Sequence, residues 1–364
     1  MKAKAAVFIG AEKPFEVKEF YVTETPKCYG RSELIASGVC GTDLHIHRGK
    51  LATEGPTVIG HEFIGKLTEC DEKEARKYGL KRGDTVIADI AVPCGECPLC
   101  KSGDDANCVN MRLTSGESIY KPPYLYGGYT EINYTPLTNL IKVPDELDPK
   151  AVAVFACPGP TVIHSVSLAK RAGVEINENT VAVVQGLGPV GLFAVMYLKA
   201  AKAKKVYVIT ARENKRREEL AKKLGADKVF SLEKDGADSI KKELQAENGG
   251  LGADLCLEAS GAPSAIPVAL DILKNRGVYL IPGQYSDSGA VEIHPEIITF
   301  KALHIIGSSQ YSICDVKAYL EFMKDHIDLQ DTVRELGTFY HISDVNKAFE
   351  DAGAGKNIKT LLTL

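Results

Sequence analysis

Four of the chain's ten cysteines stand close together, as Cys94-Gly-Glu-Cys97-Pro-Leu-Cys100 and then Cys108. Thiolates at such spacing can close a tetrahedron around one zinc. A site closed on all four corners has no room for a substrate, so the set reads as a structural zinc site. Gly95 and Pro98 supply the tight knuckles that aim the thiolates inward. A second set is dispersed. Cys40 lies in Gly38-Val-Cys40-Gly-Thr42-Asp43-Leu-His45, His61 in Gly60-His61-Glu62, and Cys157 in Phe155-Ala-Cys157-Pro-Gly-Pro-Thr161. Two thiolates and an imidazole leave a fourth corner open, the arrangement that makes zinc catalytic. Each residue alone reads as core packing, since a lone buried cysteine behaves as a small hydrophobe. Their combination carries the case. The third signal is Gly186-Leu-Gly188-Pro189-Val190-Gly191. The first glycine permits a turn, the second lets a pyrophosphate approach the backbone, and the third lets helix and strand pack closely. The helix that follows offers free N–H groups and a positive dipole end.

The elements around the glycine motif support that reading. Thr180–Gln185 is a short apolar, β-branched run, as a buried parallel strand should be. A helical pattern covers Val190–Ala203. Strands at Val206–Ile209, Lys228–Phe230, Ala253–Glu258 and Gly277–Pro282 then alternate with helices near Lys215–Leu224, Ala237–Glu247 and Ala265–Leu273. This alternation predicts a doubly wound parallel sheet. The first ~150 residues instead read as β-rich and irregular, with short runs such as Lys4–Ile9 and Thr85–Ile90 between Gly, Pro and Asp turns. Pro144 and Pro149 mark a domain edge. From Glu296 the chain returns to mixed elements, with a helix near Cys314–Asp325 and a strand at Thr360–Leu364. The expected α/β architecture is a zinc-binding domain from 1–150 and 296–364, and a dinucleotide-binding domain from 151–295.

At 364 residues the chain is long for one core, which also favours two domains. Its 45% apolar and 25% charged residues are ordinary for a globular protein. A net charge of −4 gives no electrostatic reason for a nucleic-acid or anionic-membrane partner. The densest basic run, Lys215-Arg216-Arg217, is answered at once by Glu218-Glu219. The first residues lack a signal-peptide pattern, and no segment approaches the ~18–20 apolar residues of a membrane span. A cytoplasmic home follows, where thiols stay reduced and disulfides are a poor account of the cysteines.

Taken in order, these motifs resemble the zinc-containing medium-chain alcohol dehydrogenase family, which includes threonine, sorbitol and other polyol dehydrogenases. Gly83-Asp-Thr-Val86, Tyr126-Gly-Gly-Tyr129 and Leu224-Gly-Ala-Asp227 fit it too, so the resemblance spans nearly the whole length. It implies a GroES-like catalytic domain beside a Rossmann domain and two zinc ions per subunit. Cys40, His61 and Cys157 match the catalytic zinc ligands. Polyol members usually carry glutamate where Cys157 stands. Glu62 matches a carboxylate beside the metal that can coordinate it transiently, and is the substitute ligand should Cys157 not serve. Asp43 matches the acid that fixes the tautomer and ring angle of the histidine ligand. Thr42 matches the hydroxyl that bonds the substrate oxygen, and His45 the end of a proton relay. His47 matches no role and reads as surface. Thr161 is placed behind the nicotinamide ring.

Cofactor choice turns on the second strand of the Rossmann unit. NAD binders usually end it with an acid for the ribose hydroxyls. Here Arg212 stands at that position, with Lys215 and Arg216 nearby, which suits a 2′-phosphate and favours NADP. Glu213 could play the acid if the loop is shifted, favouring NAD. The function implied is hydride transfer between an alcohol (secondary alcohol, polyol or sugar) and NAD(P). The rivals are a zinc-free quinone or enoyl reductase of the same fold and a non-catalytic zinc-stabilised binding protein. Cys157 in place of glutamate leans toward secondary alcohols or hydroxylated rings. Gly283–Asp287, Ile306–Ser312 and Met111–Leu125 are expected to shape the pocket, with Tyr120, Tyr124 and Tyr126 as packing. The family forms dimers and tetramers through the Rossmann sheet edge, and Gly277–Gly283 fits such an edge.

Overall fold

The computed structural model describes residues 1–89, 91–113 and 117–364. The end of the expected strand Thr85–Ile90 and part of Met111–Leu125 fall outside that range. The chain forms two compact units, Met1–Pro160 with Tyr311–Leu364, and Thr161–Gln310.

The first unit is built on a seven-stranded sheet. Its order is Gly337–His341, Lys359–Thr363, Tyr29–Val39, Phe63–Cys70, Thr85–Ala88 and Leu140–Lys142, with Ile132–Pro136 also pairing to Tyr29–Val39. All pairs are antiparallel except the first two strands. Along Tyr29–Val39 the residues Ser32, Leu34 and Ala36 are buried in alternation, the period of a strand with one face on the core. A hairpin of Lys2–Val7 and Glu16–Tyr21 adds Phe8 and Phe15 to a core shared with Tyr129, Tyr134 and Phe349. Thr360–Leu362 pairs with Ser37–Val39, so the C-terminal strand lies beside the residues that lead into Cys40.

The second unit carries a six-stranded, wholly parallel sheet. Its order is Lys228–Ser231, Lys205–Thr210, Val181–Gln185, Ala253–Glu258, Leu273–Ile281 and His304–Gly307. Numbered along the chain this is 3-2-1-4-5-6, the doubly wound order, with its reversal beside the strand that leads into Gly186. Val181–Gln185 is buried along its whole length, as expected of a parallel strand covered on both faces.

The expected α/β class is the observed one. The unit limits lie ten to fifteen residues further along than the expected 150 and 295. The helix Pro149–Val154 packs on Tyr29–Val39, so it stays with the first unit. His304–Gly307 pairs with Leu273–Ile281, so it belongs to the second. The same pairing corrects the sheet edge. The run Gly277–Gly283 lies mostly in an inner strand with neighbours on both sides, and the outer strand is His304–Gly307. Two isoleucines between His and Gly are too short a signal to announce an edge strand. Among the described residues, no helix is long and apolar enough to cross a membrane.

Candidate functional site

Three segments of the first unit converge on one cluster. Cys40 ends the central strand and precedes the helix Gly41–His47. His61 and Glu62 precede the strand Phe63–Cys70, and Cys157 precedes the helix Pro158–Arg171. The donor atoms of Cys40, His61, Glu62 and Cys157 all lie within 4.8 Å of one another. The two sulfurs are 3.9 Å apart. The Asp43 carboxylate stands behind His61, with Nδ1 and Oδ1 3.3 Å apart. That separation is long for a hydrogen bond, and Oδ1 makes no well-aligned one. With Nδ1 beside Asp43, Nε2 is the ring nitrogen left for a metal.

Charge in this cluster is shared. Donation from the Cys157 thiol holds Cys40 well below the usual thiol range, with His61 helping against burial. The same contact, with burial, pushes Cys157 well up. Burial works against a charge on His61, but Asp43 and the Cys40 thiolate outweigh it and hold the imidazole above its ordinary range. The two thiols and the imidazole thus share their protons as one set where a cation would sit. A divalent ion displaces those protons. Sulfur and imidazole donors of this kind fit zinc.

Glu62 does not face the cluster unaided. Lys359 Nζ lies 2.7 Å from Oε1 and 2.5 Å from Oε2, and both residues are buried. Burial pushes the Glu62 carboxyl up to about 7 despite the ammonium. Gly38 is what leaves room for this pair, since a Cβ there would come within 2.9 Å of Lys359 Cε and closer still to Glu62. Thr42 Oγ1 is 3.7 Å from Cys40 Sγ. His45, half-buried on the same helix, is held below the usual imidazole range by burial, Lys50 and Arg48.

The second cluster is local. Cys94, Cys97, Cys100 and Cys108 also have all sulfurs within 4.8 Å. Backbone N–H groups point at them: Cys94 N to Cys108 Sγ at 3.2 Å, Cys97 N to Cys94 Sγ at 3.4 Å, and Cys100 N to Cys97 Sγ at 3.5 Å. The N–H groups of Glu96 and Cys97 bring the Cys94 thiol down to about 6. Burial and Cys97 push Cys100 up to about 12. These are knuckles prepared for thiolates, and four sulfurs leave no open corner.

In the second unit each glycine of the motif has a distinct geometry. Gly186 takes φ +100°, and a Cβ there would press on Ser260. Gly188 has open space where a Cβ would be. A Cβ on Gly191 would lie 2.1 Å from the Gly186 carbonyl oxygen. We therefore expect Gly191→Ala to force the helix Pro189–Ala200 off its strand. Cofactor binding should weaken at least ~10-fold, with a stability loss of about 1–3 kcal/mol, read by fluorescence titration and thermal unfolding. Pro189 and Val190 open that helix. Glu258, at the end of the neighbouring strand, accepts from Ser260 N, Ser260 Oγ and Gly261 N at 2.7, 2.6 and 2.9 Å. This carboxylate shapes the turn that abuts Gly186.

Arg212 and Lys215 are exposed beyond Thr210. Glu213, the alternative acid, is already engaged by Lys234 at 2.6 Å. Arg217, which the sequence reading placed in the basic run without a role, is half-buried and donates to the Leu187 carbonyl at 2.7 Å. Thr161, half-buried, accepts at its carbonyl from Ser165 Oγ at 2.8 Å. His47, partly exposed, also makes tertiary contacts. Its ring stacks on Phe15 at 5.5 Å, and Nε2 lies 3.0 Å from the Lys13 carbonyl. Tyr124 and Tyr126 pack against the core beside Phe20 and Tyr29, whereas Tyr120 is exposed. Gln310 donates to the Tyr285 hydroxyl at 3.0 Å, joining two of the runs expected to shape a pocket. Lys359 was invisible to motif reading, and Tyr129 stood in a quoted motif without a role.

Residues 33–145 match the alcohol dehydrogenase GroES-like domain family, and residues 189–325 the zinc-binding dehydrogenase family. The chain is 31% identical to 5-exo-hydroxycamphor dehydrogenase of Pseudomonas putida over 341 residues, 90% of each chain. It is 30% identical to D-xylulose reductase A of Aspergillus niger over 334 residues, 90% of this chain and 87% of the relative. An alcohol dehydrogenase from Thermotoga maritima superposes with a TM-score of 0.91 at 26% identity, over 100% of this chain and 99% of that one. The chain belongs to the zinc-containing medium-chain alcohol and polyol dehydrogenase family, NAD(P)-dependent oxidoreductases of alcohols.

Proposed function

We propose that Cys40, His61 and Cys157 hold the catalytic zinc, and that Cys94, Cys97, Cys100 and Cys108 hold a second, structural one. The observation that carries this reading is the pair of separate donor clusters, one with three sulfur and nitrogen donors plus a neutralised carboxylate, the other with four sulfurs. Zinc, when bound, supplies Lewis acidity toward an alcohol oxygen, and the nicotinamide supplies the hydride acceptor. The chain's own residues do the rest. Thr42 would accept the alcohol proton at its hydroxyl oxygen as it passes its own hydroxyl proton on, and His45, kept neutral by burial and Lys50, would take up the proton released. Asp43 orients His61. Lys359 occupies the Glu62 carboxylate, which leaves three donors toward the metal. Metal analysis tests the count, with two zinc ions per chain expected and one or none overturning it.

For the cofactor we propose NADP, bound over Gly186, Gly188, Pro189, Val190 and Gly191 with Thr161 at the nicotinamide end. Arg212 and Lys215 then meet the 2′-phosphate. The engagement of Glu213 by Lys234 supports this, because the alternative acid is already paired. Arg212→Ala is expected to raise KM for NADP by ~10–100-fold, the worth of hydrogen bonds to a charged group, with KM for NAD nearly unchanged. A wild-type preference for NAD overturns the assignment.

The proposed substrate is a secondary alcohol, on a ring rather than an open-chain polyol. Cys157 at a position where polyol dehydrogenases carry glutamate supports it, as does the similarity to a hydroxycamphor dehydrogenase. Turnover across cyclic alcohols, polyols and sugars is the test. We further propose a cytoplasmic homodimer or homotetramer with no nucleic-acid or membrane partner. The outer strand His304–Gly307, with Ile305 exposed, supports association through the sheet edge.

A further inference from the structure

We infer that Tyr129 is a positioning residue for the metal centre, acting through Asp43 and through the backbone that carries His61. The inference rests on the assignment of Cys40 and His61 as zinc ligands. Tyr129 is fully buried, and its hydroxyl donates to Asp43 Oδ2 at 2.7 Å. The same oxygen accepts the Cys40 backbone N–H at 2.8 Å, while Oδ1 faces His61 Nδ1. One carboxylate therefore touches the segments of two ligands, and the phenol fixes that carboxylate from behind. Burial and Asp43 keep the phenol well above its ordinary range, so it stays a donor.

The ring has a second contact. It lies against Gly60, where a Cβ would come 2.6 Å from Tyr129 Cδ1, and Gly60 has φ +96°. Gly128 N donates to the Gly60 carbonyl at 3.0 Å and Tyr129 N to the Ile59 carbonyl at 3.1 Å. The turn before His61 is thus moulded on the Tyr129 ring and bonded to its backbone. Phe15 and Phe349 meet that ring edge-on, at 6.3 and 5.7 Å between centroids, and hold it still. A ring that served only to fill the core would not need its hydroxyl on the acid that aims a ligand. Because His61 and Asp43 approach at 3.3 Å without good alignment, the histidine does not itself fix the carboxylate. The phenol and the Cys40 N–H together hold Oδ2, and the phenol is the side-chain part of that restraint.

The test is Tyr129→Phe, which keeps the ring and removes the hydroxyl, in zinc-loaded full-length protein. Release of zinc to a chromophoric chelator should show two phases. The phase from the four-cysteine lobe should be unchanged, and the other should run ~10–100-fold faster, the range for loss of a group that supports a ligand. Turnover should fall in kcat with the cofactor KM unchanged. The visible absorption of the cobalt-substituted enzyme should shift in Tyr129→Phe. In an Asp43→Asn background, Tyr129→Phe should add little. Release at the wild-type rate with an unchanged cobalt spectrum would overturn the inference, even if the melting temperature fell. Should Tyr129→Phe not fold, Asp43→Asn alone decides, since an unaltered release rate there removes the carboxylate through which Tyr129 is said to act. A wild-type protein with a single zinc, released in one phase, would overturn the ligand assignment and this inference with it.

Discussion

Replacing His61 by alanine is expected to lower kcat/KM for alcohol oxidation at least ~10³-fold, the loss that follows removal of a preorganised electrostatic group. It should also take one zinc from each chain. The cluster offers three sulfur and nitrogen donors, and Lys359 lies against the Glu62 carboxylate at 2.5 and 2.7 Å. Removing His61 leaves two sulfurs, which share a proton rather than attract a metal. Cys40→Ala should behave alike. Neither change touches the Thr161–Gln310 unit, so cofactor binding measured by fluorescence titration should persist, and the four-cysteine zinc should remain. Normal turnover in either variant, with two zinc ions retained, would remove the catalytic assignment. The contrast with a structural role is sharp. Loss of a cysteine from the Cys94–Cys108 lobe should lower the melting temperature more than it lowers the kcat of the surviving folded enzyme.

How much of this was legible in the sequence depends on range. The four-cysteine lobe is closed by residues 94 to 108, and its knuckle N–H groups are supplied by the same short stretch, so spacing alone announces it. The glycine motif is equally local, and its three geometries are those its spacing implies. Cys157 is 117 positions from Cys40, and only a resemblance could bring it there. Lys359 is 297 positions from Glu62 and sits in an ordinary C-terminal strand, Lys-Thr-Leu-Leu-Thr. A lysine in that context reads as an exposed end. It becomes a buried counter-charge only because Thr360–Leu362 pairs with Ser37–Val39 beside Gly38. Tyr129 shows the same limit from the other side. Its motif was visible, but the partner of its hydroxyl is decided by a contact across 86 positions. The outer sheet strand and the packing of His47 on Phe15 are likewise properties of tertiary contact, with no local pattern to mark them.

Lys359→Met should produce a large loss of stability in the first unit. The variant keeps the volume but leaves Glu62 as a buried carboxylate without a counter-charge. Breaking one side of a buried pair costs about 3–5 kcal/mol, because the remaining charge is stranded. In a protein of this size that corresponds to a fall of roughly 10 °C in melting temperature. The pH dependence fixes the cause. Burial raises the Glu62 carboxyl from its ordinary 4.5 to about 7 even with Lys359 present. A raised carboxyl means the folded chain holds its proton more tightly than the unfolded one between those values, so this group's contribution to stability declines as pH rises through that window. Without the ammonium the carboxyl should rise further, and the window should widen upward. The deficit of Lys359→Met relative to wild type should therefore be small near pH 5, where Glu62 is neutral in both, and grow toward pH 8. Adding Glu62→Gln should recover most of the loss at pH 8 and little at pH 5, since the amide carries no charge to strand. Unfolding curves of the three proteins at the two pH values are the measurement. A deficit independent of pH, or one that Glu62→Gln does not relieve, would mean that Lys359 acts by packing against Gly38 rather than as the counter-charge of Glu62.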